Sequence, residues 1–356
     1  MKVKIIGVDD AIGTVLSHDL TLVDPENNYK GARFKKGHIV SEADTALLKR
    51  MGREHLSILE LEPGDVHEDD AALRVAAALF FEGAGSKKEG ARFSVKGPSE
   101  GKCSLIAEGA GLFSFDTEAV HRVNAVNEWV FATLPDKIPV SRGETVAAWR
   151  FGPLVVHEDA VRHAENCLGP STFGLLPFEP LKTALVTTGL EIFEGRVKDY
   201  FPEKLERKLA LYNAPLIGHD VVPDDGETIG QAIAKWLSRG AEVVLCTGGM
   251  SVDADDVTPA AIRSAATEVI FRGTPVLPGS NLMLAVNKDR ESGKSRALLG
   301  VPACAVHSEF TVLDTVMHRV YAGLLPTSDE VRKWGAGGLC RECSACNYPT
   351  CRFGCR

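Results

Sequence analysis

Three short stretches gather glycine, hydroxyl and carboxylate side chains: Thr187, Thr188 and Gly189; Pro223, Asp224 and Asp225; and Thr247, Gly248, Gly249, Met250 and Ser251, with Asp256, Thr258 and Pro259 following. Glycines let backbone N–H groups approach an anion closely, hydroxyls add donors, and a following helix N-terminus adds a favourable partial charge. Asp224 and Asp256 come from different loops. Converging on one crevice, they would hold a magnesium ion that bridges substrate phosphates, which makes them the candidate catalytic carboxylates. Taken singly, each aspartate suits a helix cap or a turn equally well, and it is their joint placement around a glycine-rich loop that favours chemistry.

A second chemical group closes the chain. Cys340, Cys343, Cys346, Cys351 and Cys355 follow the pattern C-x2-C-x2-C-x4-C-x3-C. Thiolates at this spacing can converge on one ion; tetrahedral zinc and an iron–sulfur cluster each take four sulfurs, leaving a fifth spare. The other reading is a disordered, reversibly oxidised tail after the glycine-rich stretch 334–338. Nine cysteines, an odd number with five in the last residues, argue for a metal or thiol cluster rather than a disulfide framework.

The strands that must present the loops are legible upstream of them. Residues 181–189 read as a strand ending in hydroxyls and glycine, followed by a helix over 198–212 and a second strand over 215–222. In 228–239, Ile229, Ile233, Trp236 and Leu237 fall at helical spacing and Gly240 stops the helix. Residues 242–249 form a third, nearly all-apolar strand, as expected of a parallel strand buried on both faces. The pattern predicts an α/β domain over 181–325, a mostly parallel sheet covered by helices, with ligand loops at the carboxyl ends of its strands. Residues 1–169 predict a β-rich mixed domain, with a helix begun by Ser41 and Asp44 and stopped at Gly52, a second helix over 68–81, a stretch of turns or loop over 82–101, and a connecting helix over 159–167. The Cys-rich tail spans 339–356.

Other polar residues have plainer readings. Arg196 and Lys198 either neutralise phosphate or are solvated helix-start charges. Cys304 reads as a small core residue. Val306, Phe310, Leu313, Met317 and Val320 follow helical spacing, which places His307 and His318 on one packing helix.

Composition sets the outer bounds. The chain has 356 residues, 44% of them hydrophobic, enough for two cores, and its net charge of −8 offers no basic field for nucleic acid or an anionic membrane. Asp9 and Asp10 arrive too early for a signal peptide and no apolar run approaches a membrane span, so the expectation is a cytoplasmic chain.

The run TGGMSVDADDVTPAA over 247–261 resembles the signature loop of the molybdenum-cofactor biosynthesis proteins, the family of molybdopterin adenylyltransferase, molybdopterin molybdotransferase and gephyrin. VPDDG over 222–226 resembles that family's acidic turn, TTGLEIFEGRVKD over 187–199 its first strand-loop-helix, and Pro278-Gly279 and Gly300-Val-Pro302 fall where its later loops stand. The resemblance implies a molybdopterin-binding fold in which Thr188, Gly189, Thr247, Gly248, Gly249, Ser251, Pro278 and Gly279 contact the pterin ligand. It places Asp224 and Asp256 near magnesium and the phosphate chemistry of ATP or an AMP moiety. It further implies Mg-dependent nucleotidyl transfer to molybdopterin, or use of adenylylated molybdopterin in metal insertion, by a homo-oligomer that serves a molybdoenzyme or another cofactor-biosynthesis protein. Two positions depart from the molybdotransferase pattern: Asp253 replaces a glycine, and Gly300-Val-Pro-Ala-Cys-Ala305 replaces a Gly-Leu-Pro-Gly-Asn-Pro stretch. They favour the alternative of a non-catalytic molybdopterin carrier or sensor.

Overall fold

The computed structural model describes residues 2–14, 16–24, 29–36, 38–60, 63–80, 92–250, 257–289, 293–349, 351 and 353. Two compact units emerge. The first comprises Met1–Glu108, Asp116–Thr133 and Thr145–Phe173, the second Gly109–Phe115, Leu134–Glu144 and Gly174–Arg356.

The first unit is β-rich, as its short alternating runs predict. β1 (Lys2–Gly7) pairs antiparallel with β4 (His55–Glu60), β2 (Leu20–Asp24) with β3 (Tyr29–Phe34), and β5 (Asp65–His67) with β12 (Val155–His157). α1 (Glu42–Arg50) starts in a capping box between Ser41 and Asp44 and gives way to Gly52 at φ +73°. A four-stranded sheet runs in the order β6 (Phe93–Ser99), β7 (Lys102–Ala107), β11 (Thr145–Phe151), β9 (Trp129–Thr133). α2 (Glu68–Phe80) covers it, and the Trp149 indole N–H donates to the Ala72 carbonyl at 3.0 Å. Arg74 ties α2 to α4 (Glu158–Cys167) by donating to both Glu158 and Glu165, which holds the Glu158 carboxyl down to about 2. α3 (Thr117–Asn124) is capped by Asp116.

The stretch 82–101 corrects the sequence reading. Residues 81–91 lie outside the described residues, but Phe93–Ser99 is a strand and not a loop. Phe93 is buried, and pairing with β7 supplies the ladder that Gly97 and Pro98 obscure in the sequence.

In the second unit, β8 (Gly111–Phe115) and β10 (Ile138–Val140) form a small sheet with β13 (Phe173–Leu176). Among the described residues the main body is a six-stranded sheet in the order β15 (Leu216–Val222), β14 (Thr183–Thr188), β16 (Val243–Thr247), β19 (Ser295–Val301), β18 (Met283–Lys288), β17 (Glu268–Arg272). The first four strands are parallel and the last two antiparallel to their neighbours. Every residue of β14 and of β16 is buried, the signature of strands covered on both sides. One face, carrying Leu185, Val243, Leu245 and Leu299, packs α6 (Phe201–Leu209) and α10 (Val312–Tyr321). The other, carrying Ala184, Val186, Val244 and Leu298, packs α7 (Gly226–Ser238) and α8 (Thr258–Ala265). Ile229, Ile233, Trp236 and Leu237 are all buried on the second face, and each such side chain contributes about 1.5–3 kcal/mol by leaving water.

Two helices differ from the sequence reading. The helix expected over 198–212 is preceded by a separate turn, α5 (Leu190–Phe193), and begins at Phe201, because the Asp199 carboxylate accepts the Phe201 N–H at 2.9 Å and ends the loop there. The helix expected to carry both His307 and His318 is two helices. α9 (Cys304–His307) stops at Ser308, which is extended, and α10 restarts in a capping box of Thr311 with Asp314. α11 (Ser328–Lys333) follows. Among the described residues no helix is long and apolar enough to cross a membrane.

Candidate functional site

β15, β14 and β16 end side by side, so the three loops singled out in the sequence leave the sheet together. The side chains alternate in direction at the end of β14: Thr188 continues the row of Ala184 and Val186 toward α8, while Thr187 continues the row of Leu185 toward α6. Thr188, Thr247 and Thr258 are buried. The Thr188 and Thr258 hydroxyls meet at 3.3 Å.

Gly248 and Gly249 follow β16 with φ of +94° and +54°, a conformation that glycine adopts without strain. A Cβ on Gly248 would stand 2.1 Å from the Thr188 carbonyl oxygen, and one on Gly249 2.8 Å from the Thr258 hydroxyl and 3.6 Å from Asp224 Oδ1. The two glycines therefore let the loop after β16 lie directly on the end of β14, against two hydroxyls and beside a carboxylate. Met250 is buried behind this loop, where a Cβ on Gly300 would lie 2.4 Å from its methyl group.

Asp224 is exposed, and its Oδ2 accepts the Leu190 N–H at 3.1 Å, which joins the loop after β15 to the loop after β14. Its neighbour Asp225 has the structural role: it caps α7, accepting the Thr228 hydroxyl and N–H, and those bonds hold its carboxyl below the usual range. The two adjacent aspartates are thus told apart. Among the described residues the N-terminus of α8, next to Gly249, carries no side-chain cap. Ser251, Asp253 and Asp256 lie outside the described residues.

Gly189, at φ +140°, opens the turn into α5. Pro278 and Gly279 lie between β17 and β18, where the atoms nearest a Gly279 Cβ all belong to Val312, and the Pro278 carbonyl accepts the Val312 N–H at 3.4 Å. The Gly279 carbonyl also accepts the Leu282 N–H at 3.0 Å and the Thr274 hydroxyl at 3.3 Å. Arg196 pairs with Glu194 at 2.7 Å, and Lys198 pairs with Glu203 at 3.0 Å while lying over the Tyr200 ring, so both charges are matched locally at the surface. Cys304 is half-buried at the start of α9, and burial raises its thiol.

Two polar groupings escaped the sequence reading. On the α6 side of the sheet, Thr187 Oγ1 donates to Asp199 Oδ2 at 2.6 Å and bonds His219 Nε2 at 2.9 Å. Burial would raise the Asp199 carboxyl, but hydrogen bonds from His219, Thr187 and the Phe201 N–H outweigh it and lower it. Asp199 two residues before Phe201-Pro202 was a legible helix-start signal, whereas its partnership with His219 is a tertiary matter. Lys204 and Lys208 of α6 reach the turn between α9 and α10: Lys204 donates to the Val306 and Ser308 carbonyls, and Lys208 pairs with Asp314 at 2.5 Å. In the tail, Cys340 and Cys351 are half-buried and Cys343 and Cys346 exposed, and Cys355 lies outside the described residues. Among the described residues no three His, Cys, Asp or Glu side chains are placed to share a metal ion.

Residues 184–320 match a family model described as "Probable molybdopterin binding domain", and residues 5–60 match one described as a domain of unknown function. A molybdopterin molybdenumtransferase of Synechococcus elongatus is 29% identical over 178 residues, covering 45% of this chain and 43% of that protein. A CinA-like protein of Amoebophilus asiaticus is 28% identical over 82 residues, 23% of this chain and 20% of that one. The chain thus spans less than half the length of the curated relatives it matches. The solved tungsten cofactor synthesizing protein MoaB of Pyrococcus furiosus aligns with 40% of this chain and 92% of its own at 18% identity, with a TM-score of 0.34.

Proposed function

Because residues 184–320 are a domain of the molybdopterin-binding family of molybdenum-cofactor biosynthesis, we propose that the three converging loops bind the phosphate end of a molybdopterin and support nucleotidyl transfer to it, or use of its adenylylated form in metal insertion. The observation that carries this reading is the approach of Gly248 and Gly249 to Thr188, Thr258 and Asp224, an arrangement that leaves room for backbone donors and excludes any side chain. Thr188 and Thr258 offer hydroxyls and the uncapped α8 offers its positive end to phosphate oxygens. Gly189, Thr247 and Ser251 border the same cradle in sequence, and Pro278 and Gly279 belong to it by family resemblance alone.

The Leu190 N–H anchors Asp224 through one oxygen, leaving its other oxygen directed at the Gly249 side of the cradle. Carboxylate and hydroxyl oxygens are the donors magnesium prefers; Asp224 with Asp256 would hold that ion, which when bound neutralises phosphate charge. The chain's own part is to fix the phosphate, orient it by the two hydroxyls and hold Asp224 in place.

Calorimetry and turnover test the proposal, with molybdopterin, ATP and magnesium for nucleotidyl transfer and with adenylylated molybdopterin, molybdate and magnesium for metal insertion. Binding of molybdopterin with release of pyrophosphate or of AMP is the expected result; binding without turnover would move the carrier reading ahead, and binding of NAD alone would end both. A homo-oligomer that passes its product to a molybdoenzyme or another biosynthesis protein completes the reading. Light scattering showing a monomer at micromolar concentration would remove that part.

A further inference from the structure

We propose that Cys340, Cys343, Cys346 and Cys351 form a four-thiolate metal centre, zinc or iron–sulfur, that closes the C-terminal segment onto the α10 face of the second unit. This stands independently of the molybdopterin reading.

Both ends of the segment are tied to one surface. At its start, the Leu277 N–H donates to the Gly338 carbonyl at 2.8 Å and the Cys340 N–H to the Leu277 carbonyl at 2.9 Å. At its far end, Tyr348 stacks on Phe310 with ring centroids 3.4 Å apart, and Phe353, 6% exposed, meets Phe310 edge-on at 5.6 Å. Cys340, Tyr348 and Cys351 all pack against the same hydrophobic cluster, which contains Phe310, Met317 and Phe353. Twelve residues therefore leave that surface at one cysteine and return to it at another. Among the described residues between them there is no helix or strand, and Cys343 and Cys346 are exposed.

Apart from Tyr348, such a stretch offers little apolar surface with which to order itself, and small elements without a core are held by disulfides or metals. Two residues between successive cysteines suit two sulfurs on one ion. One ligand already has the setting of a bound thiolate: the Glu342 N–H points at Cys340 Sγ at 3.5 Å, the kind of hydrogen bond that surrounds ligating groups. The four sulfurs do not yet surround one point, so binding draws the exposed pair Cys343 and Cys346 toward the anchored pair. On taking up Zn²⁺ the four thiols release four protons to solvent, and the centre carries a net charge of −2.

The test uses the full chain purified without oxygen. Metal and sulfide analysis is expected to give one zinc, or about four iron with matching sulfide, per chain, and the visible spectrum separates the two. Cobalt added to chelator-stripped protein should give sulfur-to-metal charge-transfer bands, and metal should protect Cys343 and Cys346 from alkylation. Cys343→Ser with Cys346→Ser should abolish the bands and the bound metal while the far-ultraviolet circular dichroism stays unchanged. Protein that holds neither metal, gives only the spectrum of hydrated cobalt, and has every tail thiol alkylated at the same rate with and without metal overturns the proposal.

Discussion

The Thr188 carbonyl and Gly248 touch so closely that a Cβ on Gly248 would lie 2.1 Å from the oxygen, in a backbone with φ +94°. No rotamer relieves that contact, because both atoms belong to the main chain. The cradle at the ends of β14 and β16 is therefore defined by a missing side chain.

Gly248→Ala should cost about 2–5 kcal/mol by adding positive-φ strain to a backbone collision, and should abolish ligand binding even below the melting temperature. Gly195→Ala is the control: φ is +71° there but no atom lies within 4 Å of the new Cβ, so the loss should be only about 1 kcal/mol. Urea denaturation of the two variants measures the difference. Equal losses would mean that the Thr188 contact is not decisive.

Asp224→Asn keeps an oxygen for the Leu190 N–H but removes the charge. Stability should change by less than about 0.5 kcal/mol, while magnesium-dependent turnover falls about 100-fold. Asp225→Asn, at the cap of α7, should show the reverse, with stability slightly lowered and turnover retained. Full activity in the Asp224 variant would remove that residue from the chemistry.

His318 is buried against Tyr212, Phe178, Phe310 and Tyr348, with Lys208 and Arg319 as the nearby cations, and burial pushes it down to about 3 from 6.5. The folded state holds this imidazole neutral while the unfolded chain protonates it below 6.5. Its contribution is thus fully present above about pH 6.5 and is lost as pH falls toward 3. Thermal melts should drop across that window. His318→Leu should flatten this part of the profile, and it should lower stability at pH 7 by about 1–3 kcal/mol, because the Tyr212 hydroxyl loses its partner at His318 Nδ1. An unchanged pH profile would assign the acid sensitivity elsewhere.

Lys208 and Asp314 form a nearly buried pair at 2.5 Å, with side chains 12% and 10% exposed. Removing one partner leaves the other charged and unmatched, so Lys208→Met should cost about 3–5 kcal/mol. Adding Asp314→Asn should recover part of that loss, since the amide carries no charge and still serves the Thr311 cap. A double-mutant cycle with no coupling would show that the pair contributes little.

Much of the second unit is legible in its sequence. Ile229, Ile233, Trp236 and Leu237 sit at helical spacing and are buried together, and the unbroken apolar run of β16 announced a strand covered on both faces. Local chemistry also marked the loops, because a glycine pair and hydroxyls after such a strand have few other uses. Periodicity misled where one apolar face spans two helices: Val306 and Phe310 continue the stripe of α10, yet Ser308 is extended and Thr311 begins a new helix. A hydrophobic pattern records which side chains face the core and is blind to a break in the backbone hydrogen bonds between them.

The sequence by itself determined the alternation of strands and helices over 181–249, the placement of polar loops at those strand ends and the cysteine spacing of the tail, since each depends on residues close together in the chain. Only the tertiary structure decided which of two adjacent aspartates caps a helix and which faces the cradle, that Gly248 answers to the carbonyl of Thr188 sixty residues away, and that Thr187, Asp199 and His219 form one group. Those relationships arise when β14 is laid between β15 and β16. A strand's neighbours are chosen by the burial of a whole sheet, which no local spacing encodes.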